Sequence, residues 1–161
     1  MRLRTYPIGP VTIDFLLKPD GGRAKRQGLV TRTGWSSAVN VYLLPDGRVE
    51  AVRNGNSRFQ PETVISRVSI PDNNWSRVRV TSDESMLRIY IDGKLVGEQK
   101  IAPQRSYGNC TWFLGQGDKN SENYTGSLDA LTILGAAFAP DSRDEPEVRR
   151  CKVFAPNLPP G

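Results

Sequence analysis

Trp75-Ser-Arg-Val-Arg-Val-Thr81 and Leu87-Arg-Ile-Tyr-Ile-Asp-Gly-Lys-Leu-Val-Gly97 govern the reading of this 161-residue chain. Val78 and Val80 alternate with Arg77 and Arg79, and Leu87, Ile89 and Ile91 alternate with Arg88 and Tyr90. Each run therefore has the period of two that gives a strand one apolar and one polar face. Asp92-Gly93 is a tight-turn pair, because both residue types tolerate positive φ, and it predicts a hairpin into Lys94-Leu95-Val96.

The same grammar extends in both directions. Val11, Ile13, Phe15 and Leu17 alternate with Thr12, Asp14, Leu16 and Lys18, and Pro19-Asp20-Gly21-Gly22 turns the chain. Strands are expected at 27–33, 38–44, 48–53 and 63–70, punctuated by Pro45-Asp46-Gly47 and Asn54-Gly55-Asn56. Two more follow at 111–115 and 126–134, separated by a polar loop from Gln116 to Thr125. Before Pro140 no segment keeps a helical apolar period, so about ten short strands predict an all-β sandwich or barrel.

Composition fits one globular domain, with 37% hydrophobic and 24% charged residues. A net charge of +5 and a pI near 9.5 favour acidic partners. The basic stretch Arg23-Ala24-Lys25-Arg26, with Arg32, reads first as a charged, solvated loop, and no nucleic-acid recognition motif accompanies it. Cys110 and Cys151 are far apart and form either a disulfide, which would tether the tail and imply an oxidising compartment, or two free thiols. No apolar run reaches membrane-spanning length, so no membrane insertion is expected. The expected organisation is a domain over 1–155 and a Pro-rich tail over 156–161, as one module of a larger extracytoplasmic or secreted protein.

The hairpin from Trp75 to Gly97 resembles the central hairpin of laminin-G-like domains in the concanavalin A-like lectin and glucanase superfamily. Three further pieces stand in the order that family uses: Thr12-Ile-Asp-Phe-Leu-Leu-Lys-Pro19, Phe113-Leu-Gly115 and Gly126-Ser-Leu-Asp-Ala-Leu-Thr-Ile133. The likeness spans roughly 11–140 and implies an antiparallel β-sandwich of jelly-roll, concanavalin A-like form. It departs from the family at Leu16, where relatives often carry Trp, and in its short opening segment. The resemblance also implies that Asp129 stands where many relatives use an acid to hold a structural calcium, a hard ion that prefers carboxylate and carbonyl oxygens.

The absence of histidine excludes Ser-His and Cys-His triads and every His-based metal site. It also removes the Gln-x-His strand motif of the family's alginate lyases. A retaining glycosidase needs two carboxylates about 5 Å apart, but the only i, i+2 acid pair, Glu145 and Glu147, straddles Pro146 in the tail. No catalytic residue is therefore assigned.

Sugar binding needs an aromatic ring for C–H faces and polar groups for hydroxyls. The candidate ligand-binding residues fall in three groups: Trp35, Arg53, Asn54, Asn56 and Arg58; Gln116, Asp118, Asn120 and Tyr124; and Arg88 with Tyr90 on the polar face of their strand. Trp75 and Trp112 begin strands and are assigned to the core. The N-x-[ST] triplets at Asn74, Asn109 and Asn123 are potential glycan acceptors in a eukaryotic secreted protein. The reading that follows is a non-catalytic, lectin-like accessory module for a glycan or polysaccharide, acidic in view of the charge. The alternatives are a protein-interaction or adhesion domain and a glycan-active enzyme with an unfamiliar site.

Overall fold

The computed structural model describes residues 10–33, 39–53, 60–83, 85–103, 111–117 and 119–140. Within them are eleven strands and no helix. They are β1 (Val11–Pro19), β2 (Gln27–Thr33), β3 (Val39–Leu43), β4 (Arg48–Arg53), β5 (Glu62–Ser69), β6 (Ser76–Ser82), β7 (Met86–Ile91), β8 (Lys94–Lys100), β9 (Thr111–Leu114), β10 (Glu122–Asn123) and β11 (Gly126–Leu134). They form a two-sheet sandwich. Sheet A runs β11-β1-β6-β7-β8; sheet B runs β10-β2-β3-β4-β5, with β9 also paired to β2.

Alternation explains the layers. From β1, Ile13, Phe15 and Leu17 are wholly buried, as are Val78 and Val80 of β6 and Leu87 and Ile89 of β7. They meet Val41 and Leu43 of β3 and Val49 and Ala51 of β4 in one core cluster. A one-residue slip in any of these strands would turn its apolar side chains to the wrong face, so the pattern fixes the register. Asp92 and Gly93 take φ of 48° and 80°, as the β7–β8 hairpin turn requires.

β10 falls inside the segment that its polar composition marks as a loop. It is only two residues long and pairs in parallel with Gln27 and Gly28. Its loop lies close against β2: a Cβ on Gly28 would sit 2.2 Å from the Gln116 carbonyl oxygen. Thr31 Oγ1 donates to that same oxygen at 3.0 Å.

One segment without strand structure shapes the outer face of sheet A. After β11 the chain crosses back over β1, where Thr12 Oγ1 donates to the Ala136 carbonyl at 2.6 Å and accepts from the Phe138 amide at 2.9 Å. Thr12 and Asp14 point away from the core yet are buried, at 0% and 3% exposure.

Candidate functional site

The outer face of sheet A is built from the polar half of each alternating strand. The register places Asp14 of β1 opposite Arg79 of β6, and Arg79 opposite Tyr90 of β7, so the three form one row across the sheet. Arg77 occupies the next outward position on β6, opposite Leu16. Asp14, Arg77, Arg79 and Tyr90, with Gly93 and Pro140, line a pocket of about 220 Å³.

Asp14 organises this pocket. Its Oδ1 accepts from Arg77 Nε at 2.9 Å and its Oδ2 from Arg79 Nε at 2.6 Å. Arg79 is also fixed from the other side, because Nη1 donates to the carbonyls of Phe138 and Ala139 at 3.4 and 3.1 Å. Its side chain is 15% exposed, whereas that of Arg77 is 61% exposed. Arg79 is therefore a structural cation. Arg77 is anchored along one edge by Asp14 and presents the rest of its guanidinium to solvent beside Tyr90. A planar guanidinium held in this way is suited to a carboxylate or sulfate.

The candidates from sequence fare unequally. Trp35, Asn54, Asn56, Arg58, Asp118, Cys110 and Cys151 lie outside the described residues, as do Asn109 and the 156–161 tail. Arg53 is internal: its side chain is 5% exposed, and its Nε donates to Glu62 Oε2 at 2.9 Å. Its Nη2 donates to the Ala102 carbonyl, and Glu62 Oε1 takes the Ala102 amide at 2.7 Å. Arg53 thus ties β4 to β5 and to the segment after β8, and its bonding capacity is directed inward. Arg88 shares the outer face of sheet A with Tyr90 but is held by Asp83 at 3.0 Å and Glu98 at 3.6 Å.

Gln116, Asn120 and Tyr124 belong to the loop packed against β2 of sheet B, and none of them lines the Arg77 pocket. Gln116 and Asn120 are exposed. Tyr124 packs against the core cluster and donates its hydroxyl to the Ser127 carbonyl at 3.3 Å. Burial pushes its phenol well above the ordinary range, with the nearby Asp20 charge adding to the effect, so it remains neutral.

Two tryptophans separate where sequence position treats them alike. Trp112 is 5% exposed and joins the core, as expected. Trp75 is 49% exposed and lies just before β6, contrary to its assignment to the core. The reason is parity: Ser76 shares the inner side with Val78 and Val80, which leaves Trp75 on the side of Arg77 and Arg79.

Asp129 is exposed on β11, opposite Leu16, and its Oδ1 accepts from the Ala130 amide at 2.7 Å. The buried acid of the opening strand, Asp14, is occupied by its two arginines. Among the described residues no cluster of three or more His, Cys, Asp or Glu side chains that could hold a metal is found. No helix of the described residues is long and apolar enough to cross a membrane.

The sandwich and its ordered strand motifs define a lectin-type β-sandwich. The chain belongs to the concanavalin A-like lectin/glucanases superfamily, whose laminin-G-type family model matches residues 4–142. Among solved structures it is similar to the native heptameric SAP-like pentraxin from Limulus polyphemus, with TM-score 0.62, 15% identity, and coverage of 86% of this chain and 68% of that one. It is also similar to the binding domain of botulinum neurotoxin DC in complex with SialylT, with TM-score 0.60, 12% identity, and coverage of 81% and 33%. A third match is the receptor binding domain of the botulinum neurotoxin C/D mosaic serotype, with TM-score 0.63, 14% identity, and coverage of 82% and 34%. The chain therefore spans about a third of each toxin domain. No curated protein sequence matches it significantly.

Proposed function

We propose that this protein is a non-catalytic, lectin-like module that binds an acidic glycan on the outer face of sheet A. The observation that carries the reading is Arg77, anchored by Asp14 and exposed beside Tyr90 in a surface pocket. An aromatic ring next to a fixed guanidinium offers a stacking surface for a sugar together with a donor for its acidic substituent. The botulinum neurotoxin DC binding domain, which shares this fold, was solved in complex with SialylT, and this supports such a role.

The pocket chemistry favours binding over hydrolysis. The pocket contains one carboxylate, Asp14, with both oxygens bonded to arginines, whereas a retaining glycosidase uses two carboxylates about 5 Å apart. In keeping with the glycan reading, we place the module outside the cytoplasm within a larger protein. Non-reducing mass spectrometry of native material for a Cys110–Cys151 bridge would check that placement.

A screen of uronate-containing, sulfated and neutral glycans, using the wild-type protein and Tyr90→Ala, tests the function. Binding confined to acidic glycans and weakened by Tyr90→Ala is the expected result; no binding to any glycan would overturn it. A second reading, protein docking, is favoured by exposed Ile65 and Val68 on β5 and Leu95 on β8, where the edges of the two sheets approach, as Gly97 lies against Val64 and Ile65. It predicts that charged replacements at Ile65 and Leu95 abolish partner capture while glycan binding is unchanged.

A further inference from the structure

We infer that Trp75 is a second stacking position of the same site, so that the ligand is an acidic oligosaccharide lying along β6 and not a single terminal sugar. This rests on the lectin-like reading above and names its ligand class more narrowly.

The placement follows from strand geometry. Trp75, Arg77 and Arg79 are successive same-side positions, and at about 3.3 Å per residue Trp75 and Arg79 stand roughly 13 Å apart. Tyr90 is the cross-strand partner of Arg79. Arg77 thus occupies the backbone position between Trp75 and the Arg79–Tyr90 row, on a strip longer than one sugar ring. The ground beside Arg77 is also open: Asp92 brackets its backbone, with Arg77 N donating to Asp92 Oδ1 at 2.8 Å, and Gly93 beyond it has nothing within 4 Å of where a Cβ would be.

Trp75 is held by a rigid turn. The Asn73 amide donates to the Pro19 carbonyl at 2.7 Å, and Asn74 Nδ2 donates to the Asp72 carbonyl at 3.1 Å. Asp72 is fixed by Arg23 at 2.7 Å, whose side chain is only 4% exposed. With its backbone already ordered, Trp75 has only its two side-chain torsions to fix when a sugar stacks on it. Two aromatic platforms flanking a cation suit an alternating array of apolar sugar faces and acidic groups. An acidic peptide would use Arg77 without needing both rings.

The test is calorimetric titration with two size series, oligogalacturonates and heparin-derived oligosaccharides, each from disaccharide to hexasaccharide, and with polyglutamate as the peptide control. For at least one series, wild-type affinity should rise about tenfold with length, and Trp75→Ala should remove that rise while leaving disaccharide affinity within about twofold. Trp75→Tyr should retain it. Trp75→Ala tracking the wild type at every length overturns the extension while the Arg77 pocket stands. Polyglutamate binding as tightly as the hexasaccharides, with Trp75→Ala indifferent, overturns it in favour of a charge-driven peptide site. Wild type binding no member of either series overturns the extension, and wild type binding no glycan of the wider screen removes the lectin reading itself.

Discussion

On the outer face of sheet B, Arg26 lies 3.9 Å above the ring of Tyr42 and pairs with Glu50 at 2.9 Å. Tyr42 is 3% exposed, and the Gln116 carbonyl presses on neighbouring Gly28. On the outer face of sheet A, Arg77 also sits beside a tyrosine and pairs with an acid, but its side chain is 61% exposed. The residue types are the same and the roles differ. The sheet B pair is part of the structure, with the Tyr42 ring under Arg26 and the Gln116–Gly117 backbone packed against neighbouring Gly28, while on sheet A the segment at 136–139 bonds Thr12 and Arg79 and, among the described residues, Arg77 keeps a largely exposed side chain. Composition cannot distinguish a structural arginine–aromatic pair from a binding one; the coverage of the face can.

Replacing Asp14 should show the largest effect and bears on the open face. Asp14→Ala strands the mostly buried Arg79, and loss of one partner of a buried pair costs roughly 3 kcal/mol, measurable by urea unfolding. The accompanying binding result discriminates mechanisms. The variant is one unit more positive, yet affinity for acidic glycans should fall because Arg77 is no longer held; an increase would mean that net charge alone drives binding.

Gly28→Ala probes the covered face. Its Cβ would collide with main-chain atoms of Gln116 and Gly117, which cannot swing aside, so about 2 kcal/mol of stability should be lost. Limited proteolysis should then cut between Gly115 and Thr125, with binding at Arg77 retained.

Asp83 sharpens the contrast within sheet A, where it holds Arg88 as Asp14 holds Arg77. Burial alone would raise its pKa, but backbone donors from Ser85 and Met86, the Ser85 hydroxyl and Arg88 outweigh it and hold the carboxylate below the ordinary range. Because the folded value is depressed, its contribution is present above about pH 4 and is lost as pH falls through the folded value. Asp83→Asn should cost about 1 kcal/mol at neutral pH and flatten that acid limb in unfolding titrations. Glycan affinity should be unaffected, since the proposed reader is Arg77. The smallest effect is expected from chelation: EDTA should leave the thermal midpoint unchanged, since no cluster of three or more His, Cys, Asp or Glu side chains is assembled among the described residues.

Most strands were legible because alternation is local. Val78-Arg79-Val80 and Leu87-Arg88-Ile89 carry their own face assignment, and the Asp92-Gly93 hairpin joins β7 to β8 as the sequence predicts. β10 was not legible, since two polar residues pair only through contact with β2. Trp75 could have been placed correctly by carrying the parity of Val78 back through Ser76, as could Arg53 by following Val49 and Ala51 inward. Asp14 had no such signal: its partners lie 63 and 65 residues away, and the segment that buries it crosses from beyond β11.

The most direct measurement is the affinity of Arg77→Ala for an acidic glycan selected by the screen, set against Gln116→Ala on the covered side, at low and moderate salt. Arg77→Ala should bind at least about tenfold more weakly, with a shallower salt dependence, and its thermal midpoint should fall less than that of Asp14→Ala, because Arg79 still holds the buried carboxylate. Gln116→Ala should match the wild type. Equal binding by Arg77→Ala and the wild type at both salt concentrations would contradict the assignment of the open face as the site.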